Sequence, residues 1–193
     1  MEQARRECIL VEAARAFTRF GFKKASIDDI ARKAGVAKGT VYLACDSKED
    51  LFYQVLHREV RQWQNDTARL VDPRKSADEL IETLSTASLT SIDDYPLVKD
   101  LLFGKMHALL PSWRQRLDEL RSLGLATVIE VLRLGVRQGV FRRDLDVEST
   151  AAILQDLQIA VLLFRGPDLA DILPLQRAGL DLVLDGLRTR KHR

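Results

Sequence analysis

The sequence predicts an all-α protein, and three observations carry that expectation. Apolar residues recur at helical spacing along most of the 193-residue chain, the period that gathers them on one helix face. Four serines that lead into apolar-periodic stretches stand three positions ahead of an acid or amide: Ser26 before Asp29, Ser47 before Asp50, Ser76 before Glu79 and Ser112 before Gln115. That is the spacing of a reciprocal helix cap, in which each side chain accepts one otherwise orphaned backbone N–H. No Asn-Gly or Asp-Gly pair separates alternating segments as a tight hairpin requires; Asp185-Gly186 lies inside a helical pattern.

Each element follows from its own chemistry. A first helix over residues 3–20 places Ile9, Leu10, Ala13, Ala14, Phe17 and Phe20 on one face, and Gly21 stops it. A second over 27–34 turns Ile27, Ile30, Ala31 and Ala34 inward and ends at Gly35. The third is short, 38–44, because Ser47 already caps the next. The fourth carries Leu51, Phe52, Val55, Leu56, Val60 and Trp63 and ends before Asp72-Pro73. Further helices are expected near 76–91, 95–108, 112–138, 147–165 and 174–189, with Asp94 and Asp146 as caps of two of them. Residues 138–144 read as a polar turn, and the 147–165 helix, apolar nearly all round, as buried on most sides.

The chain divides early. Six of the twelve aromatics fall within the first 53 residues, the large apolar groups a small unit needs for its own core. Residues 1–46 are therefore expected to form a head and 47–193 a larger helical body, joined by the helix from about 47 to 71.

Composition excludes several function classes. The net charge of +2 rules out a blanket polycation, but residues 1–40 hold nine Lys and Arg against five acids, while the other 153 hold 21 against 23. Cys8 and Cys45 cannot build a disulfide framework, so a reduced, cytoplasmic chain is expected. The N-terminus shows no apolar signal segment, and the apolar run Ile159–Phe164 is too short to span a membrane. His57, His107 and His192 have no metal-ligand spacing, Gly135–Gly139 follows no strand as a phosphate loop would, and Cys45 reads as a buried filler. No nucleophile–base pattern appears, so neither an enzyme nor a cofactor is expected.

Helix, glycine turn and short helix over 27–44 is the arithmetic of a helix-turn-helix. Its second helix presents Lys38, Gly39, Thr40 and Leu43, while Val36 and Val41 can pack inward. A basic, small-residue N-terminus suits the major groove, where side chains must reach base edges. Thr40 and Tyr42 offer hydroxyls to phosphates, and Lys48 adds a cation at the start of the fourth helix.

Residues Ser26 to Tyr42, followed by Ser47-Lys48-Glu49-Asp50-Leu51, closely resemble the DNA-binding signature of the TetR-type (tetracycline-repressor-like) transcriptional regulators. The resemblance covers about the first quarter of the chain. It implies a homodimer with two helix-turn-helix heads on a palindromic double-stranded DNA operator, and a helical body holding the dimer contact and a small-molecule pocket. Carried over position by position, it makes Ser26 a cap at a phosphate and Lys38, Thr40, Tyr42 and Lys48 DNA contacts. The sequence departs from the family at Leu43-Ala44-Cys45, where an aromatic or His and a Phe usually occupy 44 and 45.

In the body, Trp63, Phe103, Met106, His107, Trp113, Gln155 and Gln158 mix apolar bulk with a few polar groups, as a ligand pocket does. Leu154, Leu157 and Val161, with Leu175, Ala178 and Leu182, are the expected dimer contact. The terminal run from Arg188 reads as a frayed tail. The expected function is a ligand-responsive DNA-binding regulator, most simply a repressor released by a small molecule; the alternative is a helical ligand- or partner-binding adaptor that has lost DNA reading.

Overall fold

A computed structural model describes residues 2–103, 113–165 and 168–188. Among them the regular elements are helices: α1 (Glu2–Lys24), α2 (Ile27–Lys33), α3 (Lys38–Ala44), α4 (Lys48–Ala68), α5 (Ala77–Thr90), α6 (Pro96–Leu102), α7 (Arg114–Gln138), α8 (Val147–Arg165) and α9 (Leu169–Leu187). The expected all-α class is what is found. One isolated backbone bridge, Phe141 to Arg188, ties two loop ends together.

Helix ends follow local chemistry in most places and long-range chemistry in others. Gly21, at φ 72° and ψ 166°, takes a conformation open almost only to glycine and breaks α1 after Phe20. Gly35, at φ 68°, closes α2 in a Schellman turn: the Gly35 N–H donates to Arg32 O and the Val36 N–H to Ala31 O. Ser47 Oγ accepts from Asp50 N, although the Asp50 carboxylate reaches back to Asp46 N rather than to Ser47 N. Ser76 and Glu79 form the full capping box, and Asp146 accepts from Ser149 N.

Three expected caps are corrected. Ser26 holds the N-cap position of α2, but its hydroxyl makes no cap hydrogen bond. Asp94 belongs to a 3-10 turn, Ile92–Asp94, and α6 starts instead after Tyr95 with Pro96 in its first turn. The N-cap of α7 is Trp113; Ser112 lies outside the described residues. The largest difference in extent is α9, which starts at Leu169 behind an Asp168 cap, so Pro174 lies inside it. Pro174 lies past the first turn, where it gives up the hydrogen bond to Ala170 O and crowds that carbonyl with its ring, a cost the packing of Ile172 and Gln176 on either side must offset.

The core is laid down in two main clusters. The first joins Ile9, Ala13 and Phe17 of α1, Ile30 and Val41 of α2 and α3, and Leu51, Phe52, Val55 and Leu56 of α4, and then continues without a gap to Leu97, Val98, Trp113 and Leu120. Phe52 is its hub: its ring meets Phe17 edge-on at 4.9 Å and lies 5.2 Å from Phe22 and 5.6 Å from Trp113. The second cluster gathers Leu80 and Ile81 of α5, Val131 and Leu132 of α7, Ala151 and Leu154 of α8, and Leu180, Leu184 and Leu187 of α9. Within the otherwise polar 138–144 turn, Phe141 is fully buried against Gly135, where any Cβ would lie 2.1 Å from its ring. Of the expected tail, Arg188 is anchored: its guanidinium pairs with Asp78 and Asp185, and the Arg142 N–H donates to Leu187 O; residues 189–193 lie outside the described residues.

Helix α8 departs from expectation. Only Ala151, Leu154 and Leu162 are buried, whereas Ile153, Leu163 and Phe164 are exposed. By length and composition it is the one described helix apolar enough to cross a membrane; here it packs along α7 and α9.

Candidate nucleic-acid interface and effector cavity

The two short helices α2 and α3 are held by what they bury. Ile27, Ile30 and Ala31 anchor α2, and Val41 is the fully buried residue of α3, with Ala44 half-buried against the same core and Cys45 sealing its end. The Cys45 thiol donates to Val41 O at 3.3 Å, and burial, followed by the nearby Asp50 and Asp46 charges, pushes its pKa up. It is the buried filler expected. Gln54 Nε2 donates to Ala44 O, so an amide bridges α3 to α4 beside the departure at Ala44-Cys45.

With Val41 inward, the rest of α3 faces out. Leu43 is 88% exposed and Tyr42 46%, an unusual cost for large apolar groups on a helix of one monomer. Lys38 and Gly39 are exposed at its N-terminal end, with Thr40 half-buried beside them. A Cβ at Gly39 would meet nothing within 4 Å, so the fold itself makes no demand for glycine there. Lys38 Nζ donates to Asp28 Oδ2 at 3.0 Å, and this exposed pair raises the Lys38 pKa. Lys48 Nζ donates to Lys23 O at 3.2 Å and sits 4.9 Å from the Phe22 ring, which holds the cation at the N-terminus of α4. Ser26, Lys38, Gly39, Thr40, Tyr42, Leu43 and Lys48 thus lie on α3 or at the helix ends around it.

In the body, a cavity of about 420 Å³ opens between α4, α5, α6, α7, α8 and α9. Its wall is mostly apolar, with Ile81, Leu84, Leu101, Leu102, Leu154, Leu157 and Leu180 among its residues. Trp63, Gln155 and Gln158 line it as expected. Trp63 Nε1 donates to Ser88 O and Ser91 Oγ, both at 3.2 Å, and Gln158 Nε2 donates to Ser88 Oγ. Gln155 exchanges two hydrogen bonds with Arg121, whose guanidinium also pairs with Asp156.

Two expected pocket residues lie elsewhere. Trp113 is fully buried between Phe52 and Tyr53, where it locks α7 to α4. Phe103 packs beside Leu89, Leu162 and Ile172 and is absent from the cavity wall. Met106 and His107 lie outside the described residues. Reasoning from sequence missed Gln176 of α9, which is 7% exposed, lines the cavity and donates from Nε2 to Ser85 Oγ at 2.9 Å. Its signal was its place in the inward stripe Ile172, Gln176, Leu180, Leu184, passed over because the apolar Leu175, Ala178 and Leu182 drew attention to the opposite face of the helix.

Of the expected dimer residues, Leu175, Ala178 and Leu182 are exposed, Leu182 at 77%. Leu157 and Val161 are half-buried, while Leu154 is turned into the cavity. Among the described residues no group of three His, Cys, Asp or Glu could hold a metal.

A helix-turn-helix whose second helix is exposed, on a helical body with an internal apolar cavity, defines a DNA-binding regulator. Residues 9–55 match the family described as bacterial regulatory proteins, tetR family. The chain is 28% identical over 188 residues to the HTH-type transcriptional repressor KstR2 of Rhodococcus jostii, covering 96% of this chain and 92% of that one. The structure of the ketosteroid transcriptional regulator KstR2 of Mycobacterium tuberculosis superposes with a TM-score of 0.57 at 25% identity, over 96% of each chain. FadR of Thermus thermophilus, a TetR-family repressor in complex with lauroyl-CoA, shares the fold at a TM-score of 0.72 and 22% identity, over 97% of each chain. Residues 9–55 thus resemble the DNA-binding domain of the tetR family of bacterial regulatory proteins, and the chain is a ligand-responsive DNA-binding regulator similar to those repressors.

Proposed function

We propose that the protein is a cytoplasmic repressor, without enzymatic activity, that binds a palindromic operator as a homodimer and leaves it when an apolar small molecule fills the body cavity. Residues 1–46 act as the reading head. The observation that carries the reading is α3, which buries Val41, rests Ala44 against the same core and presents Lys38, Gly39, Tyr42 and Leu43 outward. Lys38 exchanges Asp28 for a phosphate or a guanine edge at little cost, because the pair is already solvated. Ser26 and Lys48 stand at helix N-termini, where phosphate is favoured.

The homodimer is supported by the unpartnered apolar stripe of Ile153 and Phe164 on α8 with Leu175, Ala178 and Leu182 on α9. Helix α4 links cavity to head: Val60, Trp63, Gln64 and Thr67 line the cavity, while Ser47 and Lys48 begin the same helix beside α3. Helix α6 supports that path, with Val98, Leu101 and Leu102 in the cavity wall and Leu97 and Val98 in the head's core cluster. A ligand that favours one position of α6 and α4 would shift the spacing of the two heads.

The test is binding to fragments selected by the protein from genomic DNA. Affinity should fall steeply with salt, as expected if several phosphates are neutralised per dimer. An insertion of half a helical turn between half-sites should abolish it, because two heads of a dimer dock about 34–36 Å apart or a multiple of that. Salt-independent binding, or tolerance of the insertion, would remove the dimeric operator reading.

A further inference from the structure

Two hydrogen-bonded sets hold many of the cavity's polar side chains. Trp63, Ser88, Ser91 and Gln158 bond to one another, and Gln155, Arg121 and Asp156 form a second set. One fully buried side-chain atom among the described residues is left without a partner. Gln176 Oε1 is buried and has no hydrogen-bond partner among the described residues, while the Nε2 of the same amide is held by Ser85. Such an acceptor, stripped of water and unpaired, is costly, and buried polar groups are almost always satisfied in a functional state. The opposite polarity is scarce: the lining residues include one cation, Arg121, and it is already paired with Asp156. A carboxylate or phosphate buried among Leu84, Leu102, Leu154 and Leu180 would gain no counter-charge to offset its lost hydration.

From this we infer that the effector is a neutral apolar molecule bearing a hydroxyl group, and that the hydroxyl donates to Gln176 Oε1 deep in the cavity. The inference rests on reading the cavity as the effector site. Gln176 is then a specificity residue: a hydroxyl completes the amide's hydrogen bonding, whereas a ketone of the same shape sets oxygen against oxygen. A site built to receive a donor rejects the analogue lacking it far more strongly than an apolar pocket distinguishes by size.

The experiment uses the full chain and three probes, 2-decanol, 2-decanone and decanoate, with affinity measured by calorimetric titration. The wild type should bind 2-decanol about tenfold or more tightly than 2-decanone, and decanoate more weakly than 2-decanol. Gln176→Met, which keeps length but removes the acceptor, should erase the preference between alcohol and ketone. Should that variant fold poorly, Gln176→Leu serves the same purpose, and the wild-type comparison stands without either. Equal or tighter binding of 2-decanone overturns the donor assignment while leaving the cavity as the ligand site. Tighter binding of decanoate overturns the neutral end. Failure of all three to bind overturns both this inference and the cavity reading beneath it.

Discussion

Gly39 and Lys38 are the residues at which folding and function can be pulled apart. Nothing in the protein would touch a Cβ at Gly39, and the residue is helical, so Gly39→Ala should leave thermal stability unchanged or raise it by about 0.5–1 kcal/mol through helix propensity alone. If α3 approaches DNA backbone to backbone, the same variant should nonetheless lose operator affinity. Calorimetric unfolding and fluorescence anisotropy on one preparation check both halves, and undiminished binding would take Gly39 out of the interface. Lys38→Ala should weaken binding and lower the slope of log affinity against log salt by about 1, with an unchanged melting point, because its fold contact is one exposed pair with Asp28. Gln176 shows the converse, a residue whose burial satisfies only half its amide.

Helix α6 illustrates how one element is positioned by another far away in sequence. Its first N–H groups have no cap of their own; Glu59 of α4 accepts from Leu97 N at 2.7 Å and Val98 N at 3.2 Å. Burial raises the Glu59 pKa above its ordinary 4.5, outweighing the two N–H donors that lower it, and Asp100 raises it further. The ionised carboxylate is therefore the strained form. The stability attached to Glu59 is full below pH 4.5 and is lost as pH rises through the raised value. Glu59→Gln keeps an acceptor without the charge and should flatten that loss, whereas Glu59→Ala leaves two donors uncapped and should cost about 1–2 kcal/mol. Thermal unfolding of the three proteins between about pH 4 and pH 8 checks the order; equal stability of Ala and Gln would mean that the clamp contributes nothing. A second tie joins α7 to α4: Arg116 lies 4.8 Å from the Tyr53 ring and 5.5 Å from that of Trp113, and its guanidinium donates to the Glu49 carbonyl. Tyr53 donates to Glu119, and burial together with that bond pushes its pKa up to about 12, so this junction stays a donor–acceptor pair across the physiological range.

Taken whole, a single chain leaves its most apolar helix half uncovered. Phe164 is 85% exposed and Leu182 77%, with Ile153 and Leu175 beside them. So many large apolar side chains exposed on two packed helices are uncommon on a monomer and common where two copies meet. Leu182→Asp with Phe164→Ser should yield a monomer in sedimentation velocity, with helical content retained and operator affinity lost; a dimer that survives both would place the contact elsewhere. The charge distribution fits such a body. Residues 1–40, most of the head, carry the basic excess and the remaining 153 residues a slight acidic one, which favours approach to DNA by the head rather than the body.

Read from the chain alone, the helices, half of their expected caps and the helix-turn-helix were plain, because helix periodicity, capping and the turn at Gly35 depend on residues within a few positions of one another. Ser47, Ser76 and Asp146 cap as their neighbours dictate, and Val41 faces inward while Leu43 faces out. Long-range packing settled the rest. Trp113 carries the same apolar bulk and N–H whether it lines a ligand cavity or locks two helices, and only its placement against Phe52 and Tyr53 separates the two. Glu59 reads as a surface acid until α6 arrives above it, and Gln176 reads as a polar interruption until Ser85 takes half its amide and the cavity the other half. Local chemistry is written in adjacent residues, whereas the solvation of a buried charge or amide depends on groups brought together across tens of residues by the packed core.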